Sequence, residues 1–417
     1  MVHKVKEIVK GFYLLRIDDV DTKYFEALWD IPEGITYNSY VLLTDEGAVV
    51  FDAWKAAYAD EFVEAVREVT PLRRVKYVVA HHGEPDHSGS IPALTKAVGD
   101  AGGGVTLLGH PMVGRMLKSM YGLHTPFKPV SDGEEVAVGG ITLKFLHTPW
   151  LHWPETIMTY LPDLGVLVSC DAFGSYSIPP CLTDEGCRED VLREYEGFVR
   201  KYFTTVIGRF RKHVVRALGK LEAAGISPST IAPSHGIVWV RDPGRIAGLY
   251  RRLAEGAVEE GKVVAIYSSM YGFVESAVDY VVRELEGRGF SVKVFAFTDS
   301  EQARVSEVLG EVEDAEAVVV GVSTYEAGAF PTLEHVLKLI SVKAPGRGRP
   351  ALILGAYGWG ASGGRVAKQV LEAGGYGVVG PIEFSGRLTD EVRVRLRAGV
   401  EELVKAVAGL RAAAGRS

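Results

Sequence analysis

The pattern of apolar and polar positions divides the chain into two parts of different character. Up to about Leu253, short β-rich runs such as YVVA (77–80) and GVLVSCDA (165–172) are interrupted by helical stretches. A longer helical stretch is predicted from Val191 to Ala224, where apolar residues recur at helical spacing. This pattern predicts a mixed α/β layer structure for the first part.

Strands and helices alternate strictly after the small, acidic and glycine-flanked segment AEGAVEEGK (254–262). Five β-runs, beginning with KVVAIYSS and ending with GVVGPIEF, are separated by helices, and a closing helix begins near Thr389. Such alternation predicts a doubly wound parallel sheet. The small, acidic and glycine-flanked composition of residues 254–262 is typical of an exposed connection between domains. We therefore expect two domains, residues 1–255 and 256–417.

Composition and charge narrow the possible classes of protein. The 417 residues are 47% hydrophobic and 24% charged, which is typical of a folded globular chain. The net charge is −7 without a basic run, so we expect no nucleic-acid partner. No signal peptide and no apolar run of membrane-spanning length is evident, so we expect a cytoplasmic protein without a membrane partner. Three cysteines without a CxxC pair predict neither a disulfide framework nor a thiolate zinc site.

The strongest chemical signal of the first part is HHGEPDH (81–87), directly after a predicted strand. Together with polar residues at other strand termini it supplies seven candidate metal ligands: His82, Glu84, Asp86, His87, His152, Asp171 and His235. Three crowded carboxylates would repel one another and take up protons unless a cation neutralised them, and a multivalent metal is the simplest compensation. Seven ligands exceed the needs of one tetrahedral ion, so we expect two metals that share a bridging carboxylate and keep open positions for substrate. The flanking His81 and His147 are interpreted as structural or supporting residues.

These residues resemble the metallo-β-lactamase fold as used by flavodiiron proteins, also called A-type flavoproteins. Hydrolases of this fold carry HxHxDH, whereas Glu84 replaces the second histidine here, and a carboxylate at that position favours iron over zinc. Further segments that match are IPEGITYNSYVL (31–42), LHWPE (151–155) and APSHG (232–236). One departure is Gly83, where many members carry a larger apolar residue.

This resemblance implies an αββα sandwich with a di-iron centre. It assigns His82, Glu84 and His152 to one iron. It assigns Asp86, His87 and His235 to the other iron, and Asp171 to the bridge.

Three loops after strands of the second part carry hydroxyls, glycines and aromatic residues: SSMYGFVES (268–276), STYEAGAFP (323–331) and GAYGWGASGG (355–364). The first loop (268–276) is a turn that opens a helix, and such a turn is suited to bind phosphate. The order of the loops resembles flavodoxin, which implies FMN at the switch point of the sheet. The candidate FMN-binding residues are Ser268, Ser269, Met270, Tyr271, Gly272, Phe273, Val274, Ser323, Thr324, Tyr325, Gly328, Ala356, Tyr357, Gly358, Trp359 and Gly360.

The first of these loops departs from the family at Phe273 and Val274, where a small polar residue and a threonine are usual. One hydroxyl donor to the phosphate is therefore lost, and we still expect FMN to bind.

The flavodiiron resemblance implies reduction of dioxygen to water, of nitric oxide to nitrous oxide, or both. Electrons would pass through FMN from an external donor, either a rubredoxin-like protein or a reduced deazaflavin, because the chain has no rubredoxin-like CxxC pair. The resemblance also implies a head-to-tail homodimer, or a dimer of dimers, in which the FMN of one subunit faces the irons of the other.

Two readings from other classes remain open. A zinc hydrolase of the same fold would activate a bridging hydroxide, although Glu84 and the flavodoxin-like part favour the redox reading. A flavin electron carrier with an inactive metal domain would require missing ligands, and none of the seven is missing.

Overall fold

The computed structural model describes residues 3–414, which form two compact units. The first unit comprises the described residues up to Phe203 together with Phe210–Glu255. The second comprises Thr204–Arg209 together with the described residues from Gly256 onward. Each unit has its own hydrophobic core.

The first unit consists of short strands and seven helices. Its strands are β1 (Lys4–Val9), β2 (Phe12–Asp19), β3 (Tyr24–Phe25), β4 (Trp29–Asp30), β5 (Ile35–Thr44), β6 (Gly47–Phe51), β7 (Val75–Ala80), β8 (Thr106–Gly109), β9 (Phe127–Pro129), β10 (Glu135–Val138), β11 (Ile141–His147), β12 (Ile157–Leu161), β13 (Val166–Cys170) and β14 (Thr230–Pro233). Its helices are α1 (Ala59–Val69), α2 (Pro85–Ser88), α3 (Ile91–Asp100), α4 (Pro111–Tyr121), α5 (Glu189–Tyr202), α6 (Arg211–Ala223) and α7 (Pro243–Glu255).

Two mixed sheets enclose the core of this unit. The first has the strand order β1-β2-β5-β6-β7-β8-β9, and the second β10-β11-β12-β13-β14. Phe12, Val79 and Leu108 of the first sheet belong to one buried cluster with Phe145 and Val168 of the second. Because each sheet directs one row of alternating side chains into this cluster, the unit is a β-sandwich.

The helix predicted from Val191 to Ala224 is wrong as a continuous element. Helix α5 ends at Tyr202, a π-helical turn covers Phe203–Ile207, a short 3₁₀ turn covers Gly208–Phe210, and α6 begins at Arg211. The segment TTVIG between the two helices contains four β-branched residues and a glycine, which all have low helix propensity. The apolar spacing continues across the break, so periodicity alone does not reveal it.

The second unit has a parallel sheet covered by five helices. Its strands are β15 (Glu259–Ser268), β16 (Ser291–Phe297), β17 (Ala315–Tyr325), β18 (Gly328–Ala329), β19 (Pro350–Tyr357) and β20 (Gly377–Ser385). Its helices are α8 (Phe273–Glu286), α9 (Val305–Glu313), α10 (Pro331–Lys343), α11 (Gly363–Ala373) and α12 (Asp390–Ala414).

The strand order β16-β15-β17-β19-β20 is parallel throughout, which confirms the predicted doubly wound sheet. The short β18 adds an antiparallel pair to the end of β17. The first strand of this unit, β15, lies between β16 and β17, so the chain adds one strand on one side of β15 and the following strands on the other side. Ligands of such sheets bind at the carboxyl ends of the strands at this switch point. Strand β15 begins at Glu259, inside the segment expected to be a connection, where the Glu259 amide donates to Asp314 O at 2.7 Å.

The first unit contains a disulfide bond. Cys181 and Cys187 form a disulfide with their Cα atoms 5.5 Å apart, which corrects the expectation of no disulfide. The spacing of these two cysteines matches no motif. Their pairing depends on the path of the loop between them, which the sequence does not reveal.

Among residues 3–414, no helix combines the length and the apolar character that a membrane crossing requires.

Candidate metal centre and flavin pocket

Four of the seven candidate ligands lie on the turn from β7 to α2. Strand β7 ends at Ala80, His82 follows it, and Glu84 directly precedes Pro85, the first residue of α2. Proline is favoured at the first helical position because it has no amide hydrogen to leave unpaired. The single turn of α2 then directs Asp86 and His87 inward, and both side chains are buried.

The departure at Gly83 is explained by Met116 of α4. A Cβ atom on Gly83 would lie 2.5 Å from Met116 Cε, so the methionine side chain fills the space of a larger residue at position 83.

The other three candidate ligands come from the second sheet. His152 lies on the connection between β11 and β12, Asp171 directly follows β13, and His235 lies just beyond β14. Strands β13 and β14 are parallel neighbours, so their carboxyl ends place Asp171 and His235 at one edge. The structure thus brings all seven predicted residues together.

Asp171 lies between two pairs of histidines. Its Oδ2 atom is 3.8 Å from His82 Nε2 and 3.9 Å from His152 Nε2. Its Oδ1 atom is 3.1 Å from His87 Nε2 and 3.4 Å from His235 Nε2. Each carboxylate oxygen therefore faces one pair, which is the geometry of a bridging ligand.

Each half of the cluster contains one further carboxylate. Glu84 Oε2 lies 2.9 Å from His152 Nε2 and 3.1 Å from His82 Nε2. Asp86 Oδ1 lies 3.4 Å from His87 Nε2, and Asp86 Oδ2 lies 3.5 Å from His235 Nε2. The donor atoms of His82, His152 and Asp171, and those of Asp86, His87 and His235, each lie within 4.8 Å of one another, close enough to share an ion.

The hydrogen bonding of the cluster is incomplete without a cation. Both carboxylate oxygens of Asp86 and the Nε2 atom of His235 are buried, and none of them has a hydrogen-bond partner among the described residues. Buried polar atoms without partners are costly. Imidazole nitrogens and carboxylate oxygens are donors that suit iron, so the residues present fit a pair of iron ions.

The pKa shifts show how strongly negative the cluster is. Burial opposes charge on His87, yet Asp171 and Asp86 raise the pKa of that imidazole to about 10. Burial likewise opposes charge on His82, but hydrogen bonds to Glu155 and Glu84 and the charge of Asp171 raise its pKa well above the usual value. The carboxylates therefore retain protons on the imidazoles, and metal ions would displace these protons.

Residues around the cluster orient the ligands. His82 Nδ1 donates to Glu155 Oε1 at 2.7 Å, and His235 Nδ1 donates to the Thr36 carbonyl at 2.8 Å. A donated Nδ1 hydrogen leaves the Nε2 lone pair directed at the metal. Tyr202 OH donates to Asp171 Oδ1 at 2.8 Å.

Sequence reasoning missed all three of these supporting residues. Glu155 and Thr36 lie in the matched segments LHWPE and IPEGITYNSYVL, which offered a signal, whereas Tyr202 carried none.

His81 and His147, which flank the candidate ligands in sequence, form hydrogen bonds with residues outside the set of seven ligands. His81 lies between Asp52 Oδ2 at 2.8 Å and Thr159 Oγ1 at 2.7 Å. His147 Nε2 lies 3.1 Å from the Val130 carbonyl. These contacts agree with the structural interpretation of both residues.

A cavity of about 370 Å³ lies at the carboxyl ends of β15, β17 and β19, at the switch point of the parallel sheet. Most of the predicted FMN residues line it: Ser269, Met270, Tyr271, Phe273, Val274, Ser323, Thr324, Tyr325, Ala356, Tyr357, Gly358 and Trp359. Glu326 and Gly386 also line it and were not predicted. Four predicted residues, Ser268, Gly272, Gly328 and Gly360, lie off the lining. Ser268 instead joins two loops, because its Oγ accepts the Ser323 amide hydrogen at 3.2 Å.

The first loop forms the expected turn into a helix. Ser269 Oγ accepts the amide hydrogen of Gly272 at 3.1 Å, and Gly272 has a φ of +80°, which favours glycine. Val274 is buried, and a Cβ atom on Gly321 would lie 2.8 Å from its Cγ1. Where the family usually has a hydroxyl, this chain therefore packs a methyl group, and a phosphate there would rely on backbone amides and the amino end of α8.

The fold and the two sites define a class: a flavin-binding metalloprotein with a metallo-β-lactamase-like unit and a flavodoxin-like unit. Family models agree with both parts. The ODP family beta lactamase model matches residues 35–236, and the flavodoxin model matches residues 265–390.

Known proteins match the chain over nearly its whole length. The structure of a mutant of the flavo di-iron protein from Thermotoga maritima is 36% identical, with a TM-score of 0.90, over 98% of this chain and 100% of that one. The nitric oxide reductase of Moorella thermoacetica is 29% identical over 88% of this chain and 89% of its own length. The rubredoxin-oxygen oxidoreductase of Megalodesulfovibrio gigas is 27% identical, over 89% and 90% respectively. The chain belongs to the flavodiiron protein family.

Proposed function

We propose that this protein is an oxidoreductase that reduces dioxygen to water, nitric oxide to nitrous oxide, or both, at a di-iron centre that receives electrons through FMN. The observation that carries the proposal is the position of Asp171, whose two oxygens face separate histidine pairs. Relatives named for nitric oxide and for oxygen reduction support both substrates.

When bound, two irons and one FMN supply up to four electrons, enough to reduce dioxygen to water or to couple two molecules of nitric oxide. His82, Glu84 and His152 would hold one iron, and Asp86, His87 and His235 the other. Asp171 would bridge them. Glu155 and the Thr36 carbonyl keep two of the imidazoles in the tautomer that binds metal.

Aromatic side chains pack against two of the candidate ligands. The ring of Phe25 meets His235 edge-on at 6.0 Å, and the ring of Trp153 meets His82 edge-on at 4.8 Å. One side is open, where a cavity of about 230 Å³ is lined by residues that include Tyr37, Glu84 and Asp86. This cavity is the route that we propose for substrate.

The assembly and the electron donor belong to the same proposal. The side chains of Tyr271 and Trp359 at the flavin cavity are each 80% exposed. Exposed aromatic residues of this kind favour a protein partner, in agreement with a head-to-tail homodimer or a dimer of dimers.

We propose a rubredoxin-like protein or a reduced deazaflavin as external donor, cytoplasmic location, and no nucleic-acid or membrane partner. We also propose residues 1–255 and 256–417 as the two domains.

The test measures iron, zinc and FMN in anaerobically purified protein, followed by consumption of both gases after chemical reduction. About two irons and one FMN per chain, with gas consumption, are expected. Zinc without gas consumption would instead favour the hydrolase. Asp171→Ala that keeps FMN and gas consumption would favour the flavin carrier.

A further inference from the structure

A tight hairpin lines the open cavity beside the candidate ligands Glu84 and Asp86. It pairs β3 (Tyr24–Phe25) with β4 (Trp29–Asp30), and its turn contains Glu26 at φ +49° and Ala27 at φ +57°. Two successive non-glycine residues in the left-handed region are unfavourable. Such strain is found where the position of a side chain matters for function.

Both ends of the turn are held by buried aromatic residues. Trp29 is buried, and its Nε1 atom donates a hydrogen bond to Glu26 Oε2 at 3.0 Å. Phe25 is also buried and packs its ring against His235. The Glu26 carboxylate is therefore oriented by its own hairpin.

This orientation places the carboxylate next to two candidate metal ligands. Donor atoms of Glu26, Glu84 and His152 all lie within 4.8 Å of one another, a separation that one ion could span. Glu26 also lines the cavity of about 230 Å³ that opens on Glu84 and Asp86. It thus lies where an entering molecule would reach the metal on the Glu84 side.

We propose that Glu26 is an exchangeable eighth ligand, which binds the metal held by His82, Glu84 and His152 and competes there with substrate or an external anion. The inference rests on the proposed di-iron function and goes beyond it. The exchange involves no redox change: the metal–carboxylate bond breaks as the bond to the incoming ligand forms, and each ligand donates one electron pair. A carboxylate oxygen is a suitable donor for iron.

The experiment titrates azide into the diferric, FMN-loaded protein and follows the azide-to-iron charge-transfer absorption. The variants are Glu26→Ala, Glu26→Gln and, as a matched control, Asp21→Asn, which removes one negative charge from an exposed position on the same segment. If Glu26 occupies the position nine-tenths of the time, its removal tightens azide binding about tenfold. Glu26→Gln keeps an oxygen that can accept from Trp29 but donates weakly to iron, so it should tighten azide binding similarly, whereas Asp21→Asn should not.

Iron and FMN contents and circular dichroism accompany each titration. A Glu26→Ala protein that keeps FMN and its fold but retains only one iron also supports ligation by Glu26. Azide affinities within twofold of the unaltered protein for both Glu26 variants, with unchanged absorption, overturn the inference. If the unaltered protein itself binds no iron, the proposed function fails, and this inference fails with it.

Discussion

At the scale of residues, the partners of the ligands decide how firmly metal is held. Glu155 accepts hydrogen bonds from His82 Nδ1 at 2.7 Å and from the Gly83 amide at 3.2 Å, so it fixes both the imidazole and the turn that follows. Groups in such positions strengthen the ligand that they orient.

We therefore predict that Glu155→Gln weakens iron binding about 10-fold to 100-fold. The measurement is iron retained during titration with a chelator. Glu68→Gln is the matched control, because Glu68 pairs with the nonligand His3 at 2.8 Å on the surface. Equal iron retention by both variants would contradict the prediction.

The pH dependence of the metal-free protein is also set by single residues. The pKa of His87 is raised from 6.5 to about 10 in the folded protein, so the folded state binds this proton more tightly than the unfolded chain. The resulting stabilisation is complete below pH 6.5 and is lost as the pH rises through about 10.

We predict that the free energy of unfolding of the metal-free protein, measured in urea, decreases across this pH window. His87→Gln removes the His87 part of the decrease, whereas His82, whose pKa is also raised, keeps its own part. Iron replaces the proton, so the iron-loaded protein should not show it. A metal-free protein equally stable from pH 6.5 to pH 10 would refute the raised pKa of His87.

At the scale of elements, packing between helices and turns allows departures from the family pattern. Met116 on α4 fills the space beside Gly83, with Cε 2.5 Å and Sδ 3.0 Å from the position of a Cβ on that glycine. The turn and the helix have therefore adapted to each other.

Gly83→Ala should destabilise the protein by about 1–3 kcal/mol through overpacking. Combined with Met116→Ala, it should show a favourable coupling of about 1 kcal/mol in a double-mutant cycle. Gly99→Ala on α3 is the control, since a Cβ there meets nothing within 4 Å. Strictly additive effects would show that the two positions do not interact.

The turn before α8 offers a second test of adaptation. Val274→Thr restores a hydroxyl beside the phosphate end of the cavity, so we expect FMN to bind the apoprotein about threefold to tenfold more tightly by fluorescence titration. Riboflavin, which lacks the phosphate, should bind with unchanged affinity. Val278→Thr buries a hydroxyl in the same core away from the cavity lining and serves as control. Equal gains for FMN and riboflavin would exclude the phosphate as the cause.

At the scale of the whole molecule, the proposed head-to-tail dimer predicts complementation between two defective chains. Asp86→Ala damages the metal centre. Gly358→Trp fills the flavin cavity, because Gly358 lines it and a Cβ there meets nothing within 4 Å.

In a mixed dimer, one intact FMN faces one intact metal centre across the interface. Random mixing therefore restores about a quarter of normal gas consumption. The measurement compares gas consumption by the two variants after co-expression, which allows mixed dimers, with gas consumption by separately purified variants that are combined without exchange of subunits. Recovery in neither sample would contradict electron transfer between subunits.

The sequence by itself determined the features that depend on neighbouring residues. The alternation of β-runs and helices predicts the parallel sheet, and the HxExDH spacing places four ligands on one strand–turn–helix unit. The resemblance carried by these motifs then supplied Asp171 as the bridge. Local propensity and spacing suffice for such features, because one short segment contains the residues that produce them.

Only the tertiary structure decided the features that depend on residues distant in sequence. The division of Asp171 oxygens between two histidine pairs, the hydrogen bond from His82 to Glu155, the filling of the Gly83 space by Met116 and the approach of Glu26 to Glu84 all join separate elements. The reason is physical: these contacts form only when packing brings distant strands and helices to one place, and no local pattern encodes that meeting.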